Sequence, residues 1–247
     1  MAFTFGPRLP SFPINGIEFL WDAAEVQLVS GNVDVWPDQI GNLDWTTFSG
    51  GSAERFGYAP NIPEINNQPV ITNTASSRMI HSGITGTFPF VLYYVSRYYY
   101  NTNFGYRWRD GVDVAAQPRW FGRPGGDQGE MWAGSLNLPI NGTNGINWNT
   151  STNALLQVGE VTPFHLMKFL WTDSGYSLSR DGVTVKSGNS PTNIVDFVGD
   201  FVYYSTSGQE NCALHFGGFF EPTVKDDVAI AKYVNDRFGL NVNLIRS

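Results

Sequence analysis

The stretch of this chain best equipped for chemistry runs from Tyr98 to Asp110 and continues through Arg119 to Arg123. It holds Tyr100, Tyr106, Arg107, Trp108, Arg109, Arg119, Trp120 and Arg123, and so concentrates four of the chain's eleven arginines among aromatic residues. Tyr, Trp and Arg are the types enriched where proteins recognise partners, and an aromatic plane can also stack on a sugar ring. Binding of a glycan or a protein partner is the chemistry this pattern suggests. The other reading is a plain strand, with Tyr and Trp alternating into a core while the arginines guard a sheet edge. Trp148, set in the Asn-, Gly- and Thr-rich stretch 137–153, is a second candidate saccharide contact, and an ordinary surface loop is the alternative there.

Catalytic constellations are not evident. A glycoside hydrolase needs two carboxylates facing one sugar subsite. Glu18, Glu25, Glu54, Glu64, Glu130, Glu160, Glu210 and Glu221 are scattered, with no pair at alternate positions of one expected strand. His81, His165 and His215 are far apart and match no zinc spacing, so no metal ligand is assigned. Gly122-Arg-Pro-Gly-Gly lacks the lysine and following helix of a phosphate-binding loop, and no nucleophile elbow is present. No catalytic residue and no cofactor is therefore expected, and the chain reads as a binder rather than a catalyst. The single cysteine, Cys212, has no partner for an internal disulfide and reads as a small buried thiol.

These residues have to be positioned by strands. The chain has 247 residues, with 27 Gly, 15% aromatic and only 15% charged residues, a composition that suits many strands joined by tight turns. Strand candidates are Ile17–Trp21, Pro69–Thr72, Phe88–Tyr100, Arg119–Arg123, Phe164–Trp171, Tyr176–Ser179, Val183–Ser187, Phe197–Tyr204 and Ala213–Phe219. Asp181-Gly182 between two alternating runs marks a tight hairpin, because that dipeptide tolerates positive φ. One segment has helical period: Val224, Val228, Ala231, Val234 and Phe238 recur after Thr223, an N-cap with Asp226 three residues on, and Gly239 can end the helix. Residues 1–16 contain Pro7, Pro10 and Pro13 between Phe3, Phe5, Leu9, Phe12 and Ile14, which reads as an extended arm able to dock its apolar side chains in an assembly. The expected division is an arm over 1–16 and one domain over 17–247.

The net charge of −7 and pI near 4.9 argue against a nucleic-acid partner. No run of apolar residues long enough for a membrane span occurs, and Met1 to Arg8 lacks the pattern of a secretory leader, so no membrane partner and synthesis in the cytoplasm are expected.

Several segments together resemble the concanavalin A-like lectin/glucanase superfamily, in particular laminin-G-like jelly rolls found in bacterial and phage proteins. Phe19-Leu20-Trp21-Asp22-Ala23 is similar to the first-strand signature, and Val35-Trp36-Pro37-Asp38-Gln39-Ile40-Gly41-Asn42 to the segment after it, with Ile40 in place of the usual serine. Asn66-Asn67-Gln68-Pro69-Val70-Ile71 resembles the family's strand entry. Phe216 to Glu221, followed by Tyr233-Val234-Asn235-Asp236-Arg237-Phe238-Gly239-Leu240, resembles its closing strand and helix. The resemblance implies an all-β, two-sheet antiparallel β-sandwich (jelly roll) with one C-terminal amphipathic helix. Trp21 and Trp36 are then core residues, and Asp22, Asp38 and Asn42 set turns by bonding nearby amides. The glucanase motif Glu-x-Asp-x-x-Glu is absent. With the family's use in virions, the resemblance leads to the expectation of a phage virion protein, a head-decoration or tail-attached component and homo-oligomer. Its partners would be other virion proteins and a host-surface glycan; a carbohydrate-binding adhesin module is the first alternative, and a cytoplasmic glycan hydrolase with unrecognised carboxylates the second.

Overall fold

A computed structural model describes residues 12–47, 55–72, 78–87, 89–98, 104–109, 119–121, 123–125, 128–132, 145–148, 163–172, 174–189, 197–205 and 210–243. The strands are β1 Phe19–Asp22, β2 Gln27–Val29, β3 Asn32–Trp36, β4 Trp45–Thr47, β5 Gly57–Ile62, β6 Gln68–Thr72, β7 Arg78–Gly86, β8 Phe90–Tyr98 and β9 Phe104–Arg109. They continue as β10 Arg119–Phe121, β11 Arg123–Gly125, β12 Gln128–Trp132, β13 Gly145–Trp148, β14 His165–Trp171, β15 Gly175–Arg180, β16 Val183–Asn189, β17 Phe197–Ser205 and β18 Glu210–Gly218. A helix, α1, spans Val224–Phe238. The pairings among these strands are antiparallel, along the path β10-β9-β17-β7-β4-β3-β5-β6-β18-β8-β14-β15-β16, with β1 on β18 and β2 on β3. β11-β12-β13 form a separate small sheet, which lies beside β9 and β10 at one end of the path and beside β16 at the other.

The all-β sandwich with a single C-terminal helix is thus what the chain builds. Period-two alternation explains how one strand serves two cores. In β8, Phe90, Leu92 and Tyr94 enter one cluster, while Val91, Tyr93 and Val95 enter another on the opposite face. The first cluster lies between layers: Trp36 and Trp45 from β3 and β4 meet Trp21 and His215 from β1 and β18, with Trp21 and Trp45 stacked at 4.3 Å and Trp36 and His215 at 4.9 Å between centroids. Trp21 and Trp36 are fully buried, as the resemblance implied. The second cluster joins the outer face of β8, β14 and β18 to Ile230, Val234 and Phe238 of α1.

Strand β18 has to change phase to serve both. A bulge between Cys212 and Leu214 inserts one residue against β8, so Cys212 and His215 face the first cluster while Ala213, Leu214 and Phe216 face the second. Nearby, β18 approaches β8 so closely that a Cβ on Gly217 would lie 2.1 Å from the carbonyl oxygen of Val91. Asp38 organises the β3–β4 turn by accepting from the amides of Leu20 (2.9 Å), Ile40 (3.0 Å) and Leu43 (3.2 Å).

Asp181 (φ 50°) and Gly182 (φ 84°) make the expected hairpin turn between β15 and β16. The Asp181 carboxylate also binds the neighbouring strand, accepting from Leu166 N at 2.9 Å and pairing with His165 Nδ1 at 2.5 Å. The helix begins as its sequence indicates, with Thr223 and Asp226 forming a reciprocal capping box, and ends at Gly239 with φ 68°.

Two departures from the expected elements concern binding residues. Arg119–Arg123 is not one strand: β10 ends at Phe121, and Arg123 starts β11 in the small sheet. Trp148 sits in β13, not in a loop. Strands β2, β3, β4, β5, β7, β9, β12 and β13 were not among the candidates. Several are only three to five residues long, β5 carries a proline, and β7 is broken by Ser-Gly, so local patterning is weak in them.

Candidate functional site

The arginine- and aromatic-rich segment becomes a pair of strands at one end of the long sheet. Trp108 is opposite Arg119, Arg107 opposite Trp120, and Tyr106 opposite Phe121. On the other side of β9, Tyr106 is opposite Tyr203, Arg107 opposite Val202 and Arg109 opposite Asp200. Residues opposite one another share a face, and Tyr203 is in turn opposite Met79, which is buried in the first cluster. Tyr106, Trp108 and Arg119 therefore share the face that holds Met79. Arg107, Arg109 and Trp120 occupy the other face, together with Val202 and Asp200. The sequence run thus divides by register into two sets, and only the second lies on the side away from the buried cluster.

Arg123 and Trp148 belong to the adjoining small sheet, where Arg123 is opposite Glu130 and Trp148 opposite Gly129. Glu130 and Gly129 are consecutive, so Arg123 and Trp148 are on opposite faces of that sheet. Tyr100 lies outside the described residues, as do Phe3, Phe5 and Leu9. Phe12 and Ile14, the described residues of the arm's apolar series, pack in this chain's own second cluster, with the Phe12 ring 4.6 Å from Phe216 and 5.0 Å from Tyr233 between centroids.

A second site was not anticipated from the sequence. Between α1 and the start of β6 lies a cavity of about 570 Å³ lined by Pro13, Asn66, Gln68, Ala229, Lys232, Tyr233, Asp236 and Arg237. Arg237, one of the lining residues, belongs to a buried ion pair. Arg237 holds both carboxylate oxygens of Asp22, donating from Nη2 to Oδ1 at 2.8 Å and from Nη1 to Oδ2; it also donates to Tyr233 Oη at 2.8 Å and from Nε to Gln68 Oε1 at 3.2 Å. Burial opposes the charge on Arg237, but the bonds and charge of Asp22 outweigh it and hold the guanidinium pKa above its ordinary value. Burial pushes the Tyr233 hydroxyl up. The one available signal was the four-residue spacing of Tyr233 and Arg237 on one helix face; nothing local to Asp22 points to a partner 215 positions away.

On the opposite flank of α1, Asp227 accepts from Tyr93 Oη at 2.6 Å and from Lys168 Nζ at 2.6 Å, which fixes the start of the helix to β8 and β14. Burial first, then the Asp227 charge, drives the Tyr93 pKa far upward, so this hydroxyl stays a donor. Among the described residues no group of three or more His, Cys, Asp or Glu side chains is placed to hold a metal ion.

No protein-family model and no curated protein matches the chain. Solved structures do resemble it. A Trypanosoma rangeli sialidase in complex with 2,3-difluoro-KDN superposes with TM-score 0.56 at 10% identity, over 91% of this chain and 33% of the sialidase. An arabinofuranosidase complexed with arabinofuranosyl-α-1,2-xylobiose gives TM-score 0.52 at 9% identity over 82% and 50%. The ligand binding domain of botulinum neurotoxin serotype D, in complex with N-acetylneuraminic acid, gives 0.51 at 8% identity over 82% and 50%. This chain spans a third to a half of the length of those proteins, and at such identities the likeness is one of fold.

The likeness corrects one expectation. Exclusion of catalysis rested on the scattered carboxylates, on the missing zinc, nucleophile-elbow and phosphate-loop spacings and on the absent glucanase motif, but solved chains that this one resembles in fold include a sialidase and an arabinofuranosidase. The physical reason is that a sandwich can gather carboxylates from loops and strands remote in sequence, so one missing local spacing does not exhaust the possible acid–base pairs. The exclusion is withdrawn.

Proposed function

We propose that this β-sandwich binds carbohydrate, and that it receives an acidic glycan on the face of β9 and β10 that carries Arg107, Arg109 and Trp120. The observation that carries the reading is the register: Trp120 is opposite Arg107 and two strand positions from Arg109, on the side of the sheet away from Met79. Trp and Arg are the residue types a carboxylated sugar requires: an indole offers an apolar plane for the ring, and a guanidinium can grip a carboxylate with two parallel bonds. Further support is that arginines cluster here in a chain of net charge −7, where general attraction for anions is otherwise lacking. Fold relatives solved with N-acetylneuraminic acid or a difluoro-KDN are compatible with it. The finer setting, a phage virion that docks on a host-surface glycan, is supported by the sequence resemblance.

A glycan array followed by calorimetry tests the proposal. Sialylated or uronate-containing glycans should bind in preference to their neutral counterparts, and Trp120→Ala or Arg107→Ala should weaken binding at least tenfold while leaving the melting temperature unchanged. Equal binding by Trp120→Ala and wild type would overturn the site. Failure of an antibody against this chain to label phage particles would remove the virion setting.

A further inference from the structure

The cavity beside α1 plays no part in the reading above, and its chemistry differs from that of the β9–β10 face. At about 570 Å³ it falls inside the range of small-molecule sites, roughly 300–1,000 Å³. Its wall is predominantly apolar. Each charge on it is answered within the protein: Arg237 by Asp22, and Lys232 by Asp236 four residues on. A charged ligand would therefore find no unopposed counter-charge, and a neutral one is preferred.

The polar groups that remain open define the ligand further. A guanidinium only donates, so the Gln68 atom that meets Arg237 Nε must be the amide oxygen, which leaves the Gln68 NH₂ with two donors not used by that bond. Asn66 donates from Nδ2 to the carbonyl oxygen of Arg237 at 3.3 Å, which leaves Asn66 Oδ1 as an acceptor. The Gln68 donors, the Asn66 acceptor and the Tyr233 hydroxyl, whose own hydrogen is not used by its bond to Arg237, thus line the cavity together with apolar surface from Pro13 and Ala229. An acetamido group fits these groups: its carbonyl can accept from Gln68, its N–H can donate to Asn66 and its methyl can lie on Pro13 and Ala229.

We propose that this cavity is a second saccharide site, separate from the β9–β10 face, that takes a neutral N-acetylated hexosamine. The test is a titration of the full chain with N-acetylglucosamine, followed by amide chemical shifts, with glucose and N-acetylneuraminic acid as comparators. Saturable binding is expected for N-acetylglucosamine, at least tenfold weaker for the comparators. Gln68→Leu should weaken it at least tenfold. Because Gln68 also touches Arg237, Ala229→Phe serves as the second variant: it fills the cavity from the helix without touching the ion pair and should have the same effect. Trp120→Ala should leave this binding unchanged, which separates this site from the other. Absence of saturable binding, undiminished binding by Ala229→Phe, or equal competition by N-acetylneuraminic acid would overturn the proposal.

Discussion

At the scale of single residues, the Asp22–Arg237 pair is the costliest feature to disturb. Their side chains are 1% and 8% exposed, so neither charge can turn to water if the other is removed. Breaking a buried pair by deleting one partner costs about 3–5 kcal/mol, whereas replacing both with apolar groups can be nearly neutral. Arg237→Met should therefore lower unfolding stability by about that amount in urea titrations, and Asp22→Leu combined with Arg237→Met should recover more than half of the loss. A single mutant within about 1 kcal/mol of wild type would show that water reaches Asp22 and that the pair is not sealed.

At the scale of elements, α1 holds its place by two devices. One is local: the Thr223–Asp226 box satisfies amides at the first turn, and the Thr223 bond also draws the Asp226 pKa down. The other is tertiary, the Tyr93–Asp227–Lys168 contact with β8 and β14. Thr223→Ala removes only the first and should cost about 1 kcal/mol. Hydrogen exchange should show the added opening confined to the first turn of α1, because Ile230, Val234 and Phe238 remain packed on the sheet. Exchange accelerated along the entire helix would mean that the cap, and not the packing, holds it.

At the scale of the molecule, the interlayer core encloses a histidine. His215 is fully buried among Trp36, Trp45 and Tyr94, and burial drives its pKa well below the usual value of 6.5. The surrounding rings could favour an imidazolium by about 2 kcal/mol, but withdrawing its charge from water costs more, so the neutral form prevails. Its folded pKa being depressed, the unfolded chain takes up a proton below pH 6.5 that the folded chain refuses. The stability His215 contributes is complete above pH 6.5 and is lost as pH falls toward the folded pKa. Unfolding free energy should thus decline between pH 6.5 and 5.5 by up to about 1.4 kcal/mol per unit, and His215→Leu should flatten that slope. An unchanged slope in the variant would assign the acid sensitivity to other groups.

Sequence alone determined what is written in neighbouring residues. Thr223, Asp226 and Gly239 delimit the helix, Asp181-Gly182 fixes the hairpin, and the unbroken apolar run from Phe90 to Val95 marks a strand, because caps, turns and short strand preferences are decided within a few residues. The aromatic and arginine run could be recognised in the same way. The alternation of Tyr106 and Trp108 against Arg107 and Arg109 could also be read from it, but which residues of β10 join each face, Arg119 with Trp108 and Trp120 with Arg107, was decided only by the pairing of the strands. The short strands were missed because three residues such as Trp45–Thr47 are held by pairing with β3 and β7 and not by their own preference. Only the tertiary structure decided the bulge that rephases β18, the pairing of Asp22 with Arg237 and the cavity beside them. Each joins segments far apart in the chain, and no local pattern records which distant surface a residue will meet once the layers close.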